Sequence, residues 1–321
     1  MDNLYLRGLA GQYWYNFTET LVYGLTYKPT PENLTYHKNI KYGDDKLQYV
    51  NIYTHKDNIK RPVMIYIHGG SWVSGITEMR NSYISNWAIA GFNTVSLSYS
   101  YAPQKTFPSQ IKEMFKAFDF ICENAEKYNL DTENILLAGE SAGGYFISYA
   151  AAASGNKKIL EELDIYPKYF DKMKFKALLS ISGCYDLKRL SDKSKPQSGF
   201  PDLKTMITSY TGMNYPDAVN LLNTEKGKIY SPQVNSHYPP SFIIWADKDL
   251  LRFESFDFSE QLRNNNVDFH LYKADGLIGM HAWAIVMLFK KSKKCLQNSF
   301  DYILPKFNKY FTKENKNWIF K

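Results

Sequence analysis

The pentapeptide Gly139-Glu140-Ser141-Ala142-Gly143 constrains the fold of this chain more than any other stretch. It directly follows the apolar run 135–138, and a strong helix-forming run begins at Phe146. A strand that enters a glycine-flanked serine and leaves as a helix must turn sharply, which exposes the serine hydroxyl. The alternative is a glycine-rich connection whose serine only caps the helix. The order of strand, turn and helix favours Ser141 as a nucleophile.

Short apolar or alternating runs recur along the chain, with helical patterns between several of them. The runs cover residues 47–53, 63–67, 94–97, 135–138, 177–181, 242–245 and 267–272. One helix is predicted from apolar residues at spacings of three and four, which place a single apolar face against a sheet. These residues are Ile111, Met114, Phe115, Phe118 and Ile121. Strands that alternate with helices predict an α/β fold with a largely parallel sheet.

The domain organisation follows from length and composition. A chain of 321 residues that is 44% hydrophobic can bury one sizeable core, and no Pro/Gly/Ser-rich linker divides it, so residues 1–321 are expected to form a single domain. Residues 1–40 are rich in aromatic side chains, which suit either a cap over a pocket or packing at the rim of the core. The segment 188–238 is longer than a simple connection between two predicted strands needs. It is interpreted as an insertion over the sheet edge where open α/β sheets bind ligands.

Composition also argues against several classes of protein. Three scattered cysteines are too few for a disulfide framework or a zinc site. The start has no signal-like segment, and the longest apolar stretch, 282–289, is far shorter than the roughly 20 residues of a membrane span. The net charge of +7 is spread along the chain, and the lysines of 290–294 read as one solvated helix face. A cytoplasmic protein without a nucleic-acid or membrane partner is therefore expected.

A serine nucleophile needs a base, and the base needs an acid that fixes its tautomer and stabilises its charge. If the order is serine, acid and histidine, the base is either His270 or His281. Alternation places His270 in the middle of a strand. His281 follows a glycine-bearing loop after that strand and precedes an apolar run expected to be helical. A loop at the end of a strand can bring an imidazole to the serine, which favours His281.

Two carboxylates compete for the role of the acid. Asp247 and Asp249 both follow the apolar run 242–245. Asp249 is favoured because it lies past the turn, whereas Asp247 at the strand edge could bond backbone amides in the loop.

Backbone amides are also needed to bind the oxyanion that forms when a serine attacks a carbonyl group. The amide of Ala142 is one candidate because it follows the nucleophile. The others should come from the loop after an early strand, where His68-Gly69-Gly70-Ser71-Trp72 follows the run 63–67. Paired glycines let the backbone of this loop approach the developing charge.

Four motifs together resemble the α/β-hydrolase superfamily, and within it the hormone-sensitive-lipase-like carboxylesterase branch. These are His68-Gly69-Gly70-Ser71-Trp72, Tyr99-Ser100-Tyr101-Ala102-Pro103, Phe107-Pro108 and Gly139-Glu140-Ser141-Ala142-Gly143-Gly144. The resemblance covers roughly residues 45–300. It implies an eight-stranded, mostly parallel sheet flanked by helices, with no cofactor. It also implies hydrolysis of carboxylic esters with small or medium acyl groups.

The same resemblance assigns roles to individual residues. It implies that Ser141, Asp249 and His281 are catalytic. The oxyanion amides fall on Gly70, Ser71 and Ala142, with His68, Gly69 and Trp72 as the supporting loop.

The chain also departs from the family pattern. Ser71 stands where many relatives have a third glycine, which changes the local conformation. Leu250 replaces a proline that often follows the acid, which weakens the preference for Asp249 over Asp247.

Two other functions stay open at this point. The His-Gly-Gly-x-Trp loop with Trp72 also suits an arylformamidase that hydrolyses N-formylkynurenine. The fold also serves as a non-catalytic ligand-binding module. For an enzyme, the expected partner is a small-molecule ester. The sequence does not determine the oligomeric state, and a homodimer that pairs through an edge strand is one option.

Overall fold

An eight-stranded sheet runs through the part of the chain that the computed structural model describes, residues 3–191 and 203–311. Its strands are β1 (Leu34–Lys41), β2 (Tyr49–His55), β3 (Arg61–Ile67), β4 (Asn93–Leu97), β5 (Leu130–Glu140), β6 (Phe175–Ile181), β7 (Ser241–Ala246) and β8 (Phe269–Ala274). The spatial order is β1-β2-β4-β3-β5-β6-β7-β8. Strand β2 is antiparallel to β1 and β4, and all other neighbours are parallel. The predicted α/β-hydrolase sheet is confirmed.

Helices connect most of the strands. The α-helices are α1 (Asn3–Thr26), α2 (Asn81–Ile89), α3 (Ser109–Glu123), α4 (Ala142–Gly155), α5 (Lys158–Glu161), α6 (Leu187–Ser191), α7 (Leu203–Thr211), α8 (Tyr215–Leu222), α9 (Arg252–Asn264) and α10 (Lys290–Ile303). Short 3₁₀ helices cover Thr77–Arg80, Phe170–Lys172, Lys226–Tyr230, Gly276–Gly279, Trp283–Ile285 and Leu304–Phe307. Among the helices of the described ranges, none is both long enough and apolar enough to cross a bilayer.

Both faces of the sheet are buried. In β3, alternate residues point to opposite faces: Val63 and Ile65 join a hydrophobic cluster that includes α3, while Met64 and Tyr66 join one that includes α2 and α10. The apolar face predicted for α3 is confirmed, since its five residues are all 0–1% exposed. Covered faces are typical of parallel sheets, and they leave the strand ends as the place for a site.

The predicted N-terminal segment 1–40 divides into two elements. Residues 3–26 form α1, which packs against α7 and the 3₁₀ helix Thr77–Arg80. Residues 34–41 instead form the edge strand β1, paired with β2. The prediction that a cap extends to residue 40 is therefore wrong, because residues 34–41 belong to the sheet.

The segment 188–238 lies between β6 and β7. It contains most of α6, then α7, α8 and the 3₁₀ helix Lys226–Tyr230. Residues 192–202 of this segment lie outside the described residues. Because α1 packs against α7, the N-terminal helix and this insertion are neighbours.

The apolar run after His281 is not the helix that the sequence predicts. Ala282 has a φ of 57°, and only Trp283–Ile285 form a short 3₁₀ helix before α10 begins at Lys290. Ala284 to Met287 are buried in the core against the sheet. A short buried loop and a short helix share the same apolar pattern, which explains the error.

Candidate active site

Ser141 occupies the sharp turn between β5 and α4. Its backbone has φ 54° and ψ −121°, a conformation that residues with a side chain rarely adopt. Two hydrogen bonds hold it: the Ser141 N–H donates to the carbonyl of Ile181 at 3.0 Å, and the Ser141 carbonyl accepts from the N–H of Cys184 at 3.1 Å. Strain of this kind at a buried turn is common at functional sites.

Gly143 shows why the turn requires glycine. A Cβ atom at this position would lie 2.0 Å from the carbonyl oxygen of Ile67, at the end of the neighbouring strand β3. The first turn of α4 therefore packs directly on the backbone of β3. This close approach gives the Ser141 turn its shape.

The structure brings Ser141, His281 and Asp249 into one hydrogen-bonded chain. The Nε2 atom of His281 lies 2.9 Å from Ser141 Oγ, and its Nδ1 atom lies 2.9 Å and 3.0 Å from the two carboxylate oxygens of Asp249. An ionised carboxylate can only accept, so the proton sits on Nδ1. Nε2 is then free to accept the proton of the Ser141 hydroxyl.

Burial and charge shift the pKa values of Asp249 and His281. Burial raises the pKa of Asp249, which is 1% exposed, but the His281 charge and hydrogen bonds outweigh it and leave the pKa below its ordinary value. Burial lowers the pKa of His281, yet the charge and hydrogen bond of Asp249 and the charge of Glu140 leave it above its ordinary value. The pair therefore favours a charged aspartate and a strong base.

Neither alternative residue takes part in this chain. Among the described residues, Asp247 Oδ1 is buried without a hydrogen-bond partner, and a Cβ on Gly279 would lie 2.1 Å from it. His270 lies within β8 and stacks on Phe242, with ring centroids 5.2 Å apart. Strand β8 thus places His270 on the sheet, and the loop after it places His281 at the serine.

Apart from Ala142, the other predicted site residues lie in the loop of residues 68–76, which is called the oxyanion loop after its predicted role. Gly70 has a φ of 114°, and Ser71 and Trp72 have φ values of 55° and 63°. Gly70 adopts its conformation freely, whereas Ser71 is in the left-handed region that favours glycine. The amides of Gly70, Ser71 and Ala142 donate no hydrogen bond to any described residue, which leaves them available to bind an anion.

His68 and Trp72 are packing residues of this loop. Burial and, to a smaller extent, the Arg80 charge lower the pKa of His68 to about 4, so its ring is neutral near pH 7. The ring stacks on Tyr99 at 4.5 Å. Trp72 is 2% exposed and stacks on Tyr210 at 4.8 Å. This ring packing restricts the conformation of the loop.

The chain is similar to known proteins in sequence and in fold. A family model described as BD-FAE matches residues 50–262, about two thirds of the chain. The chain belongs to the BD-FAE family. Esterase LipC of Mycobacterium tuberculosis is 26% identical over 221 residues, which cover 67% of this chain and 52% of LipC. Hormone-sensitive lipase of Mus musculus is 34% identical over 105 residues, which cover 32% of this chain and 14% of that lipase.

The fold of this BD-FAE family member is shared with solved esterase structures. Esterase B from Lactobacillus rhamnosis superposes with a TM-score of 0.77 and 17% identity, covering 96% of this chain and 99% of that one. The fold is therefore that of an α/β-hydrolase over almost the whole chain. In sequence, by contrast, the chain spans only about half the length of LipC.

A buried ion pair of Glu140 and Arg80 lies beside the site of this BD-FAE family member. It was not predicted from the sequence. Glu140 is 1% exposed and accepts a hydrogen bond from the N–H of Gly69 at 2.7 Å. The Nε of Arg80 donates to the same Glu140 oxygen at 2.7 Å. Glu140 lies inside the serine motif, so the motif could have indicated a role for it near the site. Arg80 lies in no recognisable pattern.

Ser182 is a second residue without a sequence signal. It follows β6 with a φ of 48°, and its hydroxyl accepts a hydrogen bond from the N–H of Ala282 at 3.3 Å. Its side chain also helps to lower the pKa of the Asp249 carboxyl group. Ser182 therefore acts on both the acid and the loop that carries His281.

In the part of the chain that the structure describes, no group of three or more His, Cys, Asp or Glu side chains could hold a metal ion. The side chains of Ser141, His281 and Asp249 and the free amides of Gly70, Ser71 and Ala142 suit acyl transfer.

Proposed function

We propose that this protein is a serine carboxylesterase that works through an acyl-enzyme intermediate. The observation that carries the proposal is the hydrogen-bonded chain from Ser141 Oγ through the His281 ring to the Asp249 carboxylate. Serine hydrolases need this order of nucleophile, base and acid. The esterase names of its relatives point in the same direction.

In the acylation step, His281 Nε2 takes the hydroxyl proton of Ser141 while Oγ attacks the ester carbonyl carbon. The negative charge that forms on the carbonyl oxygen binds the free amides of Gly70, Ser71 and Ala142. Asp249 stabilises the protonated ring through Nδ1. The protonated ring then gives its proton to the departing alcohol oxygen, and the acyl group stays on Ser141.

Deacylation repeats the same steps with water as the nucleophile. His281 takes a proton from water, and the hydroxide oxygen attacks the acyl carbon of the ester on Ser141. The same amides hold the second oxyanion. Collapse of this intermediate returns the proton to Ser141 Oγ and releases the carboxylic acid.

The proposed substrates are esters of small or medium acyl groups. Esterase B from Lactobacillus rhamnosis has also been solved with a C4-C4 SN3 tributyrin phosphonate inhibitor, and that structure superposes with a TM-score of 0.75. Tributyrin carries four-carbon acyl groups. Its use on a protein of this fold supports short acyl chains as the first substrates to test.

The test compares wild type with Ser141→Ala on nitrophenyl acetate, butyrate and decanoate. Loss of the nucleophile is expected to lower kcat by about 10⁴-fold or more on every ester that wild type cleaves. Ser154→Ala is the matched control, because Ser154 is exposed at the end of the same helix α4. Equal rates for wild type and Ser141→Ala would overturn the proposal.

The arylformamidase alternative is tested with the same proteins. Trp72, which suggested it, is buried and stacked on Tyr210, so its role is packing. We therefore expect kcat/KM on the acetate ester to exceed that on N-formylkynurenine. The reverse order would assign the formamidase activity.

A further inference from the structure

Helix α1 contacts the oxyanion loop directly. Asn16 Oδ1 accepts a hydrogen bond from the N–H of Gly75 at 3.1 Å, and Glu19 Oε2 accepts one from the N–H of Ile76 at 2.8 Å. Residues three apart on a helix lie on the same face. One face of α1 thus holds the last two residues of the loop by their backbone.

The other end of the loop is held by a residue of the serine motif. Glu140, next to Ser141 in the chain, accepts the N–H of Gly69 at 2.7 Å. The loop residues between these two attachments include Gly70 and Ser71, whose amides are free. Fixing both ends of a short segment restricts where the amides between them point.

A buried cation joins the two attachments. Arg80 is 3% exposed, and its guanidinium contacts Glu19 Oε2 at 2.7 Å and Glu140 Oε1 at 2.6 Å. Both carboxylates are buried as well, at 8% and 1% exposure for Glu19 and Glu140. Buried charge-assisted hydrogen bonds of this kind have strict geometry, because an unpaired buried charge is costly. The position of α1 is therefore linked to that of the Ser141 turn.

Tyr15, adjacent to Asn16, adds an interaction with the middle of the loop. Burial raises the pKa of this tyrosine, and the side chain of Ser71 partly opposes the shift.

We propose that Asn16 and Glu19 are positioning residues that hold the oxyanion loop in its working conformation. The inference rests on the proposed function, since it assumes that Gly70 and Ser71 bind the oxyanion. Oxyanion donors act only when they lie about 2.7–3.1 Å from the charge that develops. An error of about 1 Å in the position of reacting groups can lower a rate by about 100-fold.

The experiment replaces the acceptors on α1 and measures kcat and KM on a short-chain nitrophenyl ester. Glu19→Met removes the acceptor and the charge at similar size, Glu19→Gln keeps an acceptor oxygen, and Asn16→Ala removes the other acceptor. We expect kcat to fall about tenfold or more in Glu19→Met and Asn16→Ala, with KM changed less than about twofold, because the loop acts on the transition state. Glu19→Gln should retain more activity than Glu19→Met.

Matched controls come from the segment after α1. Glu32→Gln and Asn33→Ala change the same residue types at exposed positions, and both are expected to keep wild-type kcat. Near-UV circular dichroism and the melting temperature show whether each variant is folded at the assay temperature.

The outcomes separate this inference from the proposed function. If wild type does not cleave the ester, the proposed function fails. If wild type is active and folded Glu19→Met keeps its kcat, the positioning role is overturned while the esterase stands. If Glu19→Met does not fold, Asn16→Ala decides: an unchanged kcat, or a change in KM alone, overturns the role of α1.

Discussion

In the proposed mechanism His281 acts as a base only while its ring is neutral, so its pKa sets the acid limb of the activity profile. Burial lowers this pKa, but the charge and hydrogen bond of Asp249 and the charge of Glu140 raise it above the ordinary value of 6.5. Activity should therefore be lost as the pH falls through a midpoint above 6.5. A pH profile of kcat/KM on a nitrophenyl ester measures this midpoint, and a value below 6.5 in wild type would contradict the prediction.

Asp249→Asn tests the cause of that shift. Without the carboxylate, the protonated ring loses its main stabilisation, so the acid limb should move to lower pH. The neutral amide can also hold His281 in the wrong tautomer, and kcat should fall by about 100-fold or more. An Asp249→Asn variant with wild-type kcat and an unmoved limb would show that another group is the acid. Asp247→Asn is the matched control and should keep both the wild-type kcat and the wild-type position of the acid limb.

Ser182 offers a third test at the level of one side chain. Ser182→Gly suits the backbone φ of 48° and removes the side chain that accepts from the Ala282 N–H and helps to lower the pKa of Asp249. We expect the melting temperature to stay near that of wild type and kcat to fall about tenfold, because the Asp249 carboxylate loses a stabilising interaction. Asn58→Gly is the control, because Asn58 is exposed with a φ of 56°. Unchanged kcat in Ser182→Gly would remove Ser182 from the site.

Sequence reasoning could name the residues whose chemistry lies in a motif or in chain order. Ser141, Asp249 and His281 follow that order, and the structure brings them together. Arg80 and Ser182 could not be found in this way. Their roles depend on which carboxylate or amide the fold places beside them, and an isolated arginine or serine carries no such information.

At the level of elements, the close contact between α4 and β3 makes a direct prediction. Gly143→Ala places a methyl group 2.0 Å from the Ile67 carbonyl oxygen, so the helix must shift. We expect a loss of about 1–3 kcal/mol in the free energy of unfolding, measured with denaturant, and a lower kcat because Ser141 moves with the helix. A folded variant with wild-type stability and kcat would contradict this close packing.

Gly24→Ala is the matched control for that substitution. Gly24 is exposed in α1, and a Cβ there meets nothing within 4 Å. Alanine should therefore leave kcat unchanged and stabilise the protein by up to about 1 kcal/mol through helix propensity. The two variants together separate the effect of a methyl group from the effect of the site it occupies.

Strand β1 was not predicted from the sequence because it lies at an edge of the sheet. The strand is only partly buried. Its residues Lys38 and Asn39 are exposed, and its register with β2 is irregular between His37 and Ile40. Its polar residues therefore hide the alternation that marks a half-buried strand. The central strands were predicted because burial on both faces makes them continuously apolar.

Across the whole molecule, burial on both faces is greatest at the centre of the sheet. The residues of β3 from Val63 to Ile67 are 0% exposed, and β5 beside it is buried from Ile135 onward. Strands β1 and β8 lie at the two edges and are half-buried or exposed along most of their length. Local opening should therefore require least free energy at the edges.

Hydrogen exchange followed by mass spectrometry tests this gradient. Amides of β3, β5 and β6 should exchange slowest, at a rate set by global unfolding, and those of β1 fastest among the strands. Exchange in β1 should also be independent of protein concentration if its outer edge faces water. Protection of β1 that equals that of β5, and that rises with concentration, would contradict a free edge. It would indicate that two copies of the chain pair through β1, because strand edges are templates for such pairing.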